Sequence, residues 1–157
     1  MALPRRLWCS SVVLAYLSGS DLVRPDCDLI IQQAQRGELE IAVSILAEAE
    51  VAYLEGASAE ESEARIQEFF SRAYVIPIAL DRPLAAVTRR IVRARRGIRA
   101  ADAVHLATCE LWKIPVLETT DGDLLRLDGR VGNPPIRIQR PRFQGTPGMF
   151  QRDGNRS

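Results

Sequence analysis

Apolar and polar positions alternate along the chain in short runs, some with the period of a strand and some with that of a helix. Arg6 to Cys9 reads as a first strand, and Ser10 or Ser11 caps a helix through Val12, Val13, Leu14, Ala15, Tyr16 and Leu17, closed by Gly19. A second helix is expected from Asp28 to Arg36, with Leu29, Ile30 and Ala34 apolar and Gly37 as its stop. Leu39 to Val43 is the second strand. Ser44 caps the helix of SILAEAEVAYLEG, which is expected to run to Gly56. Ser58 and Glu61 form a capping box for a fourth helix, whose buried side is Ile66, Phe69 and Phe70. Val75 to Ile78 is a third strand, and Pro77, which has no N–H to give a ladder, places it at an edge. Asp81 and Pro83 open a long helix with Leu84, Val87, Ile91 and Ala94 on one face and Arg89, Arg93 and Arg96 on another.

The pattern then repeats once more. Ala101 to Leu111 is rich in good helix formers, Lys113 closes the last turn, and Pro115 cannot continue it. Val116 and Leu117 start a strand that ends at Thr119 and Thr120. Asp121, Gly122 and Asp123 make the turn after it, a helical turn follows to Leu127, and Ile136 to Ile138 is a last strand. Such alternation predicts an α/β domain over residues 1–139, with a mostly parallel sheet covered on both faces. From Arg140 to Ser157 the chain is Gly, Pro, Gln and Arg with little to bury, and is expected to be a flexible basic tail.

Composition changes this picture little. The 157 residues are 46% apolar and 26% charged, the balance of an ordinary globular domain, and a net charge of +1 demands neither nucleic acid nor a membrane. Every basic residue except Lys113 is arginine. Cys9, Cys27 and Cys109 match no zinc or disulfide spacing, so a reduced, cytoplasmic protein is expected. No apolar run reaches the roughly 18 residues of a membrane span. The opening MALPRRLWCSSVVLAYL superficially resembles a leader, but Cys9, Ser10 and Ser11 interrupt it, and it reads as the first element of the fold.

Candidate chemistry sits at the ends of the strands. In open α/β sheets sites form outside the carboxyl ends of the strands, which is where Asp121 falls, and Asp102 heads the preceding helix. Each residue alone suits a helix start or a turn. Together they suggest two carboxylates around a divalent ion with oxygen ligands, Mg²⁺ or Mn²⁺. His105 lies one turn after Asp102, either to orient a site group or as a half-buried histidine with a local partner. Ser10, Ser11, Thr119 and Thr120 can bond metal waters or cap helix and turn, with capping favoured for Ser11. The Arg89, Arg93 and Arg96 face can follow an RNA backbone or simply be solvated. Trp8 and Trp112 are read as packing residues. No Gly-rich phosphate loop follows the first strand, which argues against a Rossmann-like nucleotide binder.

Four segments, LWCSSVVLAYL, SILAEAEV, ADAVHLAT and LETTDGDL, occur in this order between residues 7 and 125. Together they resemble the PIN domain family, most closely its VapC-like toxins. The resemblance implies an α/β/α sandwich of three layers. It also implies a Mg²⁺- or Mn²⁺-dependent endoribonuclease that cuts RNA phosphodiesters, is held by a cognate antitoxin, and forms a homodimer. The family's acidic residues carry over as Glu50, Asp102 and Asp121, with Asp123 as an auxiliary. Glu50 is preferred to Glu48 because Ala49-Glu50-Val51 matches the family segment, and two positions on a helix face opposite ways. The first acidic position of the family is Cys9 here. A thiol is a poor ligand for a hard cation. Cys9 therefore marks a weakened natural relative, a deliberately disarmed nuclease, or a ligand for a softer metal. The reading from another class is a catalytically silent PIN domain that binds RNA or a protein partner.

Overall fold

The computed structural model describes residues 2–145. Five strands, β1 (Arg5–Trp8), β2 (Glu40–Ser44), β3 (Val75–Ile78), β4 (Val116–Glu118) and β5 (Arg137–Gln139), form one sheet in the order β3-β2-β1-β4-β5. All neighbours are parallel, with Leu7 opposite Ala42 on one side and Leu117 on the other. The chain winds outward from β1 in both directions, so the order reverses between β1 and β4. That reversal opens a crevice at the carboxyl ends of the strands.

Among the described residues seven helices cover the sheet: α1 (Ser10–Ser18), α2 (Arg24–Gln35), α3 (Ile45–Glu50), α4 (Ala59–Phe70), α5 (Arg82–Ala94), α6 (Ala100–Trp112) and α7 (Gly122–Leu125). Strand side chains alternate between the two faces, and each face carries its own core. Trp8, Ile41, Val43 and Val75 meet Val12, Val13, Ile30, Ile66 and Phe69 from α1, α2 and α4. Leu7, Ala42, Ile78 and Leu117 meet Leu84, Ile91, Ala103, Leu106 and Ala107 from α5 and α6. The result is the expected three-layer α/β/α sandwich. No helix among the described residues is long and apolar enough to cross a membrane.

Most local signals act as read, but neither Ser10 nor Ser11 caps α1: its N-cap is Cys9, with no side-chain cap bond, and the Ser11 hydroxyl is turned to the Thr120 N–H. Ser44 Oγ accepts from the Leu46 N–H at 3.1 Å, and Asp81 Oδ1 accepts from the Leu84 N–H at 3.1 Å. Ser58 and Glu61 complete their capping box, and β3 with Pro77 is an edge strand. Three further expectations need correction. Helix α2 starts at Arg24, because Pro25 suits the first turn of a helix instead of blocking it. Helix α3 ends at Glu50 rather than Gly56. Val51 turns to extended backbone, and Leu54 drops into the core with its N–H given to Ser62 Oγ at 3.0 Å. The folded body also continues past Gln139. Pro141 is buried, the Arg142 N–H reaches Glu118 at 3.1 Å, and the Phe143 N–H reaches Asp26 Oδ1 at 3.0 Å. The remainder of the expected tail, residues 146–157, lies outside the described residues.

Candidate acidic site

Three chain segments deliver carboxylates to the crevice. Helix α3 is short, so Glu50 is its last residue and stands over the carboxyl end of β2. Asp102 lies in the first turn of α6, where the helix dipole favours a negative charge. Asp121 follows β4 and caps α7, its Oδ1 accepting from the Asp123 N–H at 2.9 Å. All three line one cleft of about 300 Å³ with Cys9, Ser10, Ser11, Arg99, His105 and Thr119. Glu48 is exposed and does not line it.

The floor of the cleft is Cys9, only 2% exposed between β1 and α1. Burial pushes its thiol far above the ordinary range. A hydrogen bond with Thr119 opposes this, and the negative charges of Asp102, Glu50 and Asp121 each add a smaller upward push. Cys9 is therefore a neutral thiol facing three carboxylates. Cys27 and Cys109 are likewise free and buried, with the Cys27 thiol pushed up to about 12, chiefly by burial. A thiol held neutral is no ligand for a hard cation.

Glu50 has an imidazole neighbour. His105 Nε2 stands 3.7 Å from Glu50 Oε1, beyond hydrogen-bond length, while His105 is almost fully buried. His105, with a smaller contribution from Ser10, holds the Glu50 carboxyl below the usual carboxylate range. His105 Nδ1 is buried without a hydrogen-bond partner among the described residues. Thus His105 faces the site instead of being satisfied by local structure.

Asp102 and Asp121 are joined by a residue that sequence reasoning did not single out. Arg99 Nε donates to Asp102 Oδ2 at 3.1 Å, and Arg99 Nη2 donates to Asp121 Oδ2 at 3.0 Å. The pairing with Asp102 was legible as an i,i+3 spacing of opposite charges. The second pairing, 22 residues away, exists only in the fold. Thr119 was also underweighted. It is fully buried, its Oγ1 lies 3.4 Å from Ser11 Oγ, and it accepts from the Asp121 N–H at 3.1 Å. Ser11 Oγ accepts from the Thr120 N–H at 3.2 Å. Ser11 and Thr119 therefore tie β4 to α1 and aim Asp121, whereas the Thr120 side chain does not line the cleft.

The remaining expected residues fall outside the cleft. Asp123 is turned away, 75% exposed and paired with Arg126 Nη1 at 3.2 Å, so it stands apart from the three carboxylates that share the cleft. Arg96 lines a second cleft of about 550 Å³ beside the first, with Arg95, Arg99 and Arg126 and with the carboxylates of Asp102 and Asp123. Arg89 and Arg93 are exposed on α5 and do not line it.

As the side chains stand, no three His, Cys, Asp or Glu residues among those described form a group that could hold a metal ion. In kind, however, the donors suit one. Three carboxylates from three elements face one cleft, and a cation, the Arg99 guanidinium, already stands between two of them.

The PIN domain family model matches residues 10–130. No curated protein is matched. Among solved structures, a chain of the crystal structure of VapBC2 from Rickettsia felis bound to a DNA fragment from their promoter is similar. The TM-score is 0.64 at 13% sequence identity, over 87% of this chain and 98% of that one. At that identity the likeness speaks for the fold.

Proposed function

The chain belongs to the PIN domain family, and from that premise we propose that it is a metal-dependent endoribonuclease of the VapC toxin type, weakened or inactive because Cys9 stands at the first acidic position. The observation that carries this reading is the convergence of Glu50, Asp102 and Asp121 on one cleft at the carboxyl ends of the central strands. Those three residues would hold a Mg²⁺ or Mn²⁺ ion. When bound, such an ion neutralises the scissile phosphate and lowers the pKa of a water. The chain's own groups do the rest. Glu50, held ionised by His105 and Ser10, is a proton acceptor at the mouth of the site. Ser11 and Thr119 fix Asp121, and the cleft lined by Arg95, Arg96, Arg99 and Arg126 offers positive charge to flanking phosphates. Arg89 and Arg93 extend that charge along α5. Under the same reading the partners are an antitoxin that covers the cleft and a second copy of the chain, inside the cell. VapBC2 is itself described as bound to promoter DNA.

A second reading has a specific observation behind it. Cys9 is a neutral thiol and Arg99 already neutralises Asp102 and Asp121, as in a silent PIN domain that binds RNA or protein. Cleavage of a mixed RNA pool, with and without chelator, separates the two. The parent is expected to cut slowly or not at all, Cys9→Asp to gain Mg²⁺- or Mn²⁺-dependent cleavage, and Cys9→Asp with Asp102→Asn to lose it again. Full activity of the parent in Mg²⁺, with no gain from Cys9→Asp, would mean that position 9 is not a vacant ligand position. Absence of cleavage by every variant favours the silent domain.

A further inference from the structure

Two carboxylates close enough to share one guanidinium repel each other unless a cation stays between them. Asp102 and Asp121 are in that position, and their side chains are only 12% and 27% exposed. Arg99 is the opposite, with a side chain 70% exposed. It sits at the N-cap of α6 in extended backbone, and these two aspartates are its only ion-pair partners among the described residues. The anions are therefore fixed by the fold, while the cation stands on a long tether in water.

We propose that Arg99 is the resident counter-ion of the acidic site, holding Asp102 and Asp121 together until a divalent cation displaces it. The inference rests on the metal-dependent reading above and adds to it a competitor built into the chain. The oxygens in use are Asp102 Oδ2 and Asp121 Oδ2, one on each carboxylate facing the guanidinium. An ion bridging the two carboxylates would need the same space, since Mg²⁺ demands a compact octahedral shell of oxygens. Guanidinium and metal thus exclude each other. Arg99 also lines the neighbouring cleft with Arg95, Arg96 and Arg126, so the displaced side chain has a surface to lie on without any backbone movement. There it stands with three like charges that Asp102 and Asp123, on the same lining, offset only in part, a position that an incoming phosphate favours. Metal binding and anion binding are linked through one side chain.

The test uses the full chain and two readouts that need no catalysis. Mn²⁺ affinity is measured by calorimetry for the parent and for Arg99→Gln, and thermal melting is followed in chelator. Arg99→Gln is expected to bind Mn²⁺ about tenfold more tightly, because nothing must be displaced. In chelator it is expected to melt about 2–4 °C lower, because the two aspartates then face each other unshielded. Adding Asp121→Asn to Arg99→Gln should restore the melting point, since one of the repelling charges is gone. Arg99→Lys, a point charge without the fork, should fall between parent and Arg99→Gln in both measurements. Equal or weaker Mn²⁺ binding by Arg99→Gln overturns the proposal, as does a melt that Arg99→Gln leaves unchanged. If neither protein binds Mn²⁺ at millimolar concentration, the metal reading falls and the competition with it. Parent binding that Arg99→Gln does not improve overturns the competition alone.

Discussion

Glu118 puts a carboxyl group inside the sheet with no exposure to water. Four donors meet it there: Trp8 Nε1 at 3.0 Å, Arg6 Nη1 at 3.0 Å, Gln139 Nε2 at 3.3 Å and the Arg142 N–H at 3.1 Å. They come from β1, β5 and the segment after β5, so one side chain binds three stretches of chain to β4. A buried polar group is tolerable when its hydrogen-bonding capacity is filled, and removing it strands the partners. Glu118→Ala is expected to lower stability by about 3–5 kcal/mol in urea denaturation, because the Trp8 N–H and the Arg6 charge lose their partner inside the protein. Nothing in LETTDGDL announces this role. A glutamate in a strand reads as an outward-facing residue, and its four donors lie up to 112 residues away. Arg99 is hidden for the same reason, its second partner being distant in sequence. Asp102 and Asp121, by contrast, were legible because a helix start and a strand end place them by local geometry, whereas Glu50, the last residue of α3, was legible only through the resemblance of its segment to the family's.

Helix starts were readable where a side chain caps them, since a cap is a bond between residues two or three apart, and less so at α1 and α2, which have no side-chain cap. Ser44, Ser58 and Asp81 all act as their sequences indicate. Helix ends were less so: AEVAYLEG favours helix by propensity, yet the burial of Val51 and Leu54 breaks it. The end of α4 shows how tertiary contacts take over. Arg72, just beyond it, forks onto Glu68 at 3.0 and 2.9 Å, gives a hydrogen bond to the Tyr74 hydroxyl at 2.9 Å, and lies 5.4 Å from the centre of the Phe69 ring. It straps α4 to the strand that follows. Arg72→Ala should reduce stability at pH 7 by about 1–2 kcal/mol. Part of that loss depends on pH. Arg72, through its hydrogen bond, holds the Glu68 carboxyl below the usual carboxylate range. A carboxyl whose folded pKa is depressed contributes stability above its unfolded pKa and loses it as pH falls through the folded value. The gap between parent and Arg72→Ala should therefore narrow in acid. The change is only a few tenths of a kcal/mol, because Glu68 is largely exposed and water screens the pair. Urea titrations at pH 7 and pH 3 measure it, and a gap that widens in acid would contradict the assignment.

At the scale of the whole molecule the sheet is held together by distant partners. Leu7 pairs with Leu117 across β1 and β4, and β5 then covers the outer edge of β4. The segment after β5 closes the arrangement. The Arg142 N–H binds Glu118, the Arg142 carbonyl accepts from Arg6 Nη1 at 2.7 Å, and the Phe143 N–H binds Asp26 at the start of α2. Cutting the chain after Gln139 should lower the melting temperature by more than about 5 °C, on the order of 2 kcal/mol, since it strips two donors from buried or half-buried carboxylates. A melt unchanged by the cut would show that these bonds only decorate a finished domain. The order of the bonds along the chain has a further meaning. Glu50, Asp102 and Asp121 all leave the ribosome before Arg137 to Gln139 can shield β4 and before Arg142 can satisfy Glu118. Until those residues emerge, the outer side of β4 is an open edge and β1 alone holds its register. Synthesis therefore sets an order: every residue that lines the cleft exists on the chain before those that cover the outer side of β4 and satisfy Glu118.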